Sequence, residues 1–353
     1  MSRKIKVHIL FDFVDCAWGG GNQFLKAVKD YLINNDSYVD SYSEADVILI
    51  NSHHNILQAI KIKLQNEGVR FVHRIDGPIY YYRDDGYYLD KLIFGVNRVL
   101  ANGTIFQSNY TKNASIDRGI NLENQKSLVI INAPNPLVFF RKESNFLHKK
   151  IRLIATSWSG NIKKGFDVYT WLDKNLDFNK YEMIFVGNSP VEFDNVIHKE
   201  AMNSKDLASE LRKSDIFIFA SKVESCSNSL LEAMHSGLPV VSFNSSSNPE
   251  IVQNGGELFE SAEQIPQLLE DIIANYTTYQ KNIHLPSINQ VGKAYYEFID
   301  DIFINAQEGN CVKKRVSWID YLKIKKTFVW WKSKQRLIRL KEMGLDNFRG
   351  IIS

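Results

Sequence analysis

The stretch Glu224-Ser-Cys-Ser-Asn-Ser-Leu-Leu-Glu232-Ala-Met-His-Ser-Gly237-Leu-Pro239-Val-Val241 decides how this chain is read. It runs as a loop, a helix start, a short helix and the opening of a strand. Ser227, Asn228 and Ser229 carry side-chain groups of the kind that cap a helix N-terminus. Leu230, Leu231 and Met234 give the apolar face. Gly237 ends the helix, and Pro239 follows where a helix cannot continue. A helix start presents unpaired N–H groups and the positive end of its dipole, which suits a phosphate. Two carboxylates bracket that end, Glu224 just before it and Glu232 one to two turns inside. A ligand bearing both phosphates and hydroxyls would use this arrangement, with phosphates on the N–H groups and hydroxyls on the carboxylates.

Working outward, 353 residues exceed one typical core and predict two domains. A hydrophobic content of 44% with 24% charged residues is that of a soluble globular protein. The three cysteines, Cys16, Cys226 and Cys311, are far apart and odd in number. They argue against a disulfide framework and for a reducing, cytoplasmic setting. No apolar run approaches a membrane span, and the N-terminus enters a strand rather than a signal-peptide core.

The chain opens with the apolar run Lys6–Phe13, which fits a buried strand. Gly19-Gly20-Gly21-Asn22 and a helical segment, Gln23 to Leu32, follow. Strand, glycine turn and helix open a doubly wound α/β domain. Further strands are expected at Val47–Asn51, Arg70–Arg74, Leu100–Ala101 with Ile105–Gln107, and Leu128–Ile131. The charged stretch Arg141 to Lys150 reads as a linker. The second half restarts with strand Ile151–Ser157, helix Phe166–Asn175 and strand Glu182–Val186. A helix near Ser204–Ser214, strand Ile216–Ala220, the segment quoted above and strand Val240–Phe243 complete it. A last helix spans roughly Gln290–Asn305. The expected division is residues 1–145, 151–288, a crossover helix at 289–305 and a tail at 306–353.

The quoted segment resembles the donor-binding motif of retaining glycosyltransferases of the family-4 type, E-x7-E followed by A-M/L-x-x-G-x-P-V. Glu224, Glu232, Ala233, Gly237, Pro239 and Val240 carry the resemblance. It implies the GT-B fold, two Rossmann-like domains facing a cleft. It also implies transfer of a sugar from a nucleotide diphosphate sugar to a glycan or lipid-linked hydroxyl, in polysaccharide biosynthesis, with retention. Lys164 in S-G-N-I-K-K-G-F-D would neutralise the diphosphate after the first strand of the second half. The family commonly has an arginine five residues earlier; here Ser159 stands there, and Lys163 is a possible substitute. Gly20 and Gly21 match the family's glycine-rich loop. They fit neither a dinucleotide fingerprint nor an ATPase loop.

His73, in His-Arg-Ile-Asp76-Gly-Pro, is expected to line the donor and acceptor cleft, while Arg74 and Asp76 could pair and hold the loop. Asn102, Gln107 and Ser108 also lie in a segment resembling the family's. Glu250 would lie near the donor sugar or cap the next helix. No Asp-x-Asp motif and no Cys/His metal spacing occurs. The expectation is therefore a metal-independent site without a cofactor beyond the donor itself. Lys164 and the backbone at Ser227–Ser229 would stabilise the leaving diphosphate, Glu232 the ribose, and Glu224 the reacting sugar.

Two other classes fit the same motifs. An epimerase acting on nucleotide sugars would need acid/base groups at the sugar carbon and no acceptor site. A non-catalytic glycan- or nucleotide-binding protein would not need both glutamates and Lys164.

The net charge of +3 is uneven. Lys313 to Arg349 holds twelve Lys and Arg against three acids, net +9, leaving +3 − 9 = −6 for the rest. Trp318, Tyr321, Phe328, Trp330 and Trp331 are interleaved with these cations, and Trp318, Leu322 and Val329 fall near one side of a helix. The pattern fits a membrane-surface segment at the inner membrane face, a helix docked on the acidic body, or a disordered basic tail. The body offers no feature matching a nucleic-acid arm.

Overall fold

In a computed structural model, residues 3–14, 20–82, 86–123, 125–141, 150–310 and 313–342 are described. The strands β1 (Val7–Leu10), β2 (Val47–Asn51), β3 (Arg70–Ile75), β4 (Ala101–Phe106) and β5 (Lys126–Val129) pair in that order, all parallel. Central runs such as Val-Ile-Leu-Ile-Asn in β2 are fully buried, as parallel strands covered on both faces must be. A single parallel bridge, Val7 to Tyr38, extends the sheet on the outer side of β1. The chain therefore changes direction between β1 and β2.

Helices cover both faces of this sheet. Helix α1 (Gly20–Asn34) lies on one face, while α2 (Ile56–Gln65) and α3 (Gly86–Leu100) lie on the other. Helix α4 (Asn109–Asp117) follows β4.

The second sheet contains β6 (Ile151–Ser157), β7 (Tyr181–Gly187), β8 (Ile197–Lys199), β9 (Ile216–Phe219), β10 (Val240–Phe243) and β11 (Gly256–Phe259). Its order is β11-β10-β9-β6-β7-β8, again parallel. The order reverses between β6 and β9, and the crevice at such a reversal is where open α/β sheets bind ligands. Helices α5 (Phe166–Asn175) and α9 (Ile265–Ala274) cover one face; α6 (Ser204–Lys213), α7 (Asn228–His235) and α8 (Asn248–Val252) cover the other. The short α10 (Tyr276–Lys281) leads to α11 (Ile288–Gln307), which returns to the first sheet and packs on α1.

Two sequence expectations need revision here. The interrupted pair at Leu100–Ala101 and Ile105–Gln107 is one strand, β4. Asn102-Gly103 looks like a turn, but a Cβ on Gly103 would lie 2.7 Å from Ile302 Cδ1. Glycine is there so that α11 can lie against the strand. Strands β8 and β11 were not expected; both are short and half-polar. Most of the charged stretch at 142–149, with Cys16, Gly19 and Cys311, falls outside the described residues.

The basic tail forms α12 (Trp318–Glu342), which packs on α2 and α3. Tyr321 and Trp331 are buried in the same apolar cluster as Ile56, Leu89 and Ile93.

Candidate active site

The quoted segment folds as its residues dictate. Ser227 caps α7, its Oγ accepting from the Leu230 N–H at 3.3 Å. The N–H groups of the first turn have no partner within the helix, and Asn228 and Ser229 line a cleft of about 490 Å³ between the two sheets. Glu232 lines the same cleft one turn further on. Its carboxyl is pushed from the ordinary 4.5 to about 8 by burial.

Glu224 lies in the loop between β9 and α7. Its Oε1 accepts from Lys164 Nζ at 2.6 Å. Lys164 follows β6 in a 3-10 turn that ends at Gly165, whose φ is 83°. The two residues thus leave adjacent strands, β6 and β9, and meet at the crevice. The Glu224 backbone is held by the following serine loop, with its N–H donating to Ser246 Oγ at 2.9 Å. Ser246 takes φ 55°, a left-handed conformation that costs a non-glycine residue about 1–2 kcal/mol. Thr156 and Ser221 also line the cleft, and their hydroxyls are buried with no hydrogen-bond partner among the described residues. Orphaned buried hydroxyls in a concave site are groups that a ligand would satisfy.

The first sheet supplies the opposite wall. Arg74 is fully buried and donates to Asn51 Oδ1 (2.6 Å), Asn132 Oδ1 (2.9 Å), the Tyr295 hydroxyl (3.1 Å) and Asp76. The pairing of Arg74 with Asp76 is one of the readings given above. Burial alone would raise the Asp76 carboxyl, but the Arg74 charge holds it below its ordinary range. Asp76 keeps a side-chain exposure of 36% and lines the cleft, so it is both loop anchor and site residue. Asn132 Nδ2 then donates to Asn228 Oδ1 at 3.0 Å, joining the two walls at the α7 start.

His73 does not line the cleft, contrary to the expectation. It is fully buried, its Nε2 is 2.9 Å from the Ser52 carbonyl, and burial pushes its pKa down to about 4. The alternation of β3 turns it to the face covered by α3, where its Nδ1 lies 3.3 Å from Asn97 Nδ2. His53, after β2, lines the cleft instead. It sits in a turn where Ser52 and Asn55 adopt φ 44° and 52°. The rule that ligands gather at strand ends near a reversal, applied to β2, would have found it.

Gly20 and Gly21 open α1 rather than forming a loop, and Gly21 borders the cleft. Among the described residues Ser159 makes only local bonds, around Ser157 and Asn161. Lys163 also lines the cleft, where its Nζ donates to the Tyr81 carbonyl on the opposite wall at 2.8 Å. Asn102 is spent within the first sheet, accepting from Phe71 N–H. Glu250 caps α4 of the other wall, accepting from the Asn109 and Tyr110 N–H groups at 2.8 and 2.6 Å. Among the described residues no group of three or more His, Cys, Asp or Glu is placed to hold a metal ion.

Comparison with known proteins agrees with this geometry. The starch synthase IV catalytic domain of Arabidopsis thaliana, solved with ADP and acarbose, aligns over 87% of this chain and 100% of its own, with TM-score 0.65 at 10% identity. HepE of Anabaena, solved with UDP and glucose, aligns over 86% and 99%, with TM-score 0.63 at 14% identity. The chain is thus an α/β protein of the GT-B fold. Residues 170–276, which carry the Glu224–Glu232 segment, match the family Glycosyl transferases group 1. A Klebsiella pneumoniae protein described as an uncharacterised 41.2 kDa protein in the cps region is 25% identical over 209 residues. That match covers 54% of this chain and 58% of the relative.

Proposed function

We propose that the protein is a retaining glycosyltransferase that moves a sugar from a nucleotide diphosphate sugar to a hydroxyl of a glycan or lipid-linked acceptor. The observation that carries this reading is the Lys164–Glu224 contact beside the open start of α7, at the reversal of the second sheet. In this reading the donor diphosphate takes Lys164 Nζ from Glu224 and accepts from the N–H groups of Asn228 and Ser229. Glu224, released from the ion pair, accepts from hydroxyls of the donor sugar and faces its developing positive charge. Glu232 accepts from the ribose.

The acceptor enters along the Asp76 and His53 wall. Its oxygen bonds to the anomeric carbon on the face from which the diphosphate departs. The acceptor proton passes to the departing phosphate oxygen, so configuration is retained without a protein nucleophile. Charge on the leaving group is met by preorganised donors of this chain, with no metal ion invoked. UDP with glucose in the HepE structure and ADP in the starch synthase IV structure support a sugar-nucleotide donor. A growing polysaccharide as acceptor and a peripheral place at the inner membrane face complete the reading.

Thermal-shift screening against nucleotide diphosphate sugars identifies the donor. With that donor, Lys164→Ala should lower turnover by about 10²–10³-fold, and Glu224→Gln should lower it with donor binding largely kept. Unchanged turnover in both variants, with the fold intact, would sink the proposal. Donor interconversion without any acceptor would point to an epimerase.

A further inference from the structure

Helix α12 is apolar on two sides. One side is spent: Tyr321 and Trp331 are buried, and Ile324 and Phe328 pack against the same cluster on α2 and α3. The other side is open. Trp318, Ile319, Leu322, Val329, Trp330 and Leu337 are exposed by 45–65%. With roughly 3.6 residues per turn, these six fall within an arc of roughly 120°. Lys323 and Lys334 border one edge of that arc and Lys325 and Lys332 the other, while Lys326, Ser333 and Arg336 lie inside it among the apolar side chains. Six large apolar side chains exposed along one helix face are more than a monomeric soluble surface usually leaves uncovered unless it binds something. Apolar side chains interleaved with and flanked by cations match the boundary between acyl chains and anionic headgroups.

The surface continues beyond the helix. Trp330 stacks edge-on to Tyr88 of α3 at 4.5 Å, with Lys334 over both rings. Tyr80 and Tyr87 are exposed nearby, and Arg118 lies over both. On its inner side Trp331 meets the ring of His53 at 5.5 Å, and His53 lines the cleft. The open face of α12 is therefore one helix thickness from the acceptor wall.

We propose that the exposed face of α12, with Tyr80, Tyr87 and Tyr88, is a docking platform for an anionic lipid bilayer. Docked this way, the protein presents the Asp76–His53 wall of the cleft beside the membrane, so an acceptor with a lipid anchor reaches it laterally. The proposal rests on the peripheral reading above and specifies its surface.

The test uses the full chain and vesicles of phosphatidylcholine alone or with phosphatidylglycerol. The wild type should sediment with the phosphatidylglycerol vesicles only, and less so as salt rises. The variant Trp318→Ser/Leu322→Ser/Val329→Ser changes only exposed side chains and should fold unchanged by circular dichroism. Its partitioning should fall about tenfold or more, since each buried methylene contributes to interfacial binding. Its affinity for the nucleotide sugar should not move. Wild type left in the supernatant, or a triple variant that binds equally well, overturns the platform. So does a wild-type dimer in gel filtration that the triple variant dissolves, because a second copy would then cover the face. Loss of nucleotide-sugar binding in the wild type, with vesicle binding kept, instead overturns the donor reading and leaves the platform standing.

Discussion

Glu232 carries the clearest pH signature in the cleft. Burial raises its carboxyl from 4.5 to about 8, so the folded protein holds a proton that the unfolded chain has released. The sign follows from linkage: the group's contribution to stability is complete below 4.5 and is lost as pH rises through about 8. The melting temperature of the ligand-free protein should fall across that window. Glu232→Gln, which cannot ionise, should flatten the fall when the two are melted side by side. If ribose hydroxyls donate to this carboxylate, nucleotide binding near neutrality releases a proton. Calorimetry in buffers of different ionisation enthalpy detects that release, and its absence would remove the ribose from Glu232. Glu224 differs, because Lys164 already sits on it and a ligand must exchange that partner.

At the scale of elements, the turn between β6 and α5 sets where Lys164 points. Gly165 has φ 83°, and a Cβ there would lie 2.1 Å from the Ala220 carbonyl oxygen at the end of β9. Replacement by alanine therefore combines left-handed strain with overpacking against backbone. Gly165→Ala should cost about 2–5 kcal/mol, read as a lower urea midpoint with an unchanged slope. It should also lower turnover beyond any loss of stability, because Lys164 moves with the turn. Wild-type stability and turnover would show that the backbone relaxes and that the tight approach of β9 is not needed.

Across the whole molecule, the two walls are joined by a few polar contacts at the cleft rim. Tyr82 bonds Ser225, Lys163 bonds the Tyr81 carbonyl, and Glu250 caps α4. The Glu250 cap crosses from one sheet to the other, so it stabilises this closed arrangement rather than either domain alone. Losing a helix cap of this kind costs about 0.5–2 kcal/mol. Glu250→Ala should therefore raise the radius of gyration by small-angle scattering and weaken donor affinity by up to about tenfold. An unchanged scattering curve would mean that α11, which ties the second domain back to α1, fixes the geometry by itself.

The sequence by itself determined the two parallel sheets, the α7 start and the glutamate pair. Each rests on local physics: apolar runs that only a covered parallel strand accepts, capping side chains, and a glycine and proline that end a helix. The Lys164 turn was legible for the same reason. What lay beyond it is non-local. His73 and His53 look alike as residues at strand ends, and only strand alternation and the reversal beside β1 decide that one is buried beneath α3 while the other faces the cleft. Glu250 could cap any neighbouring helix; the closure of the two walls decides that it caps α4 of the opposite one. The aromatic residues of the tail have two apolar sides in any helical projection, and only packing on α2 and α3 shows which side is spent and which remains open.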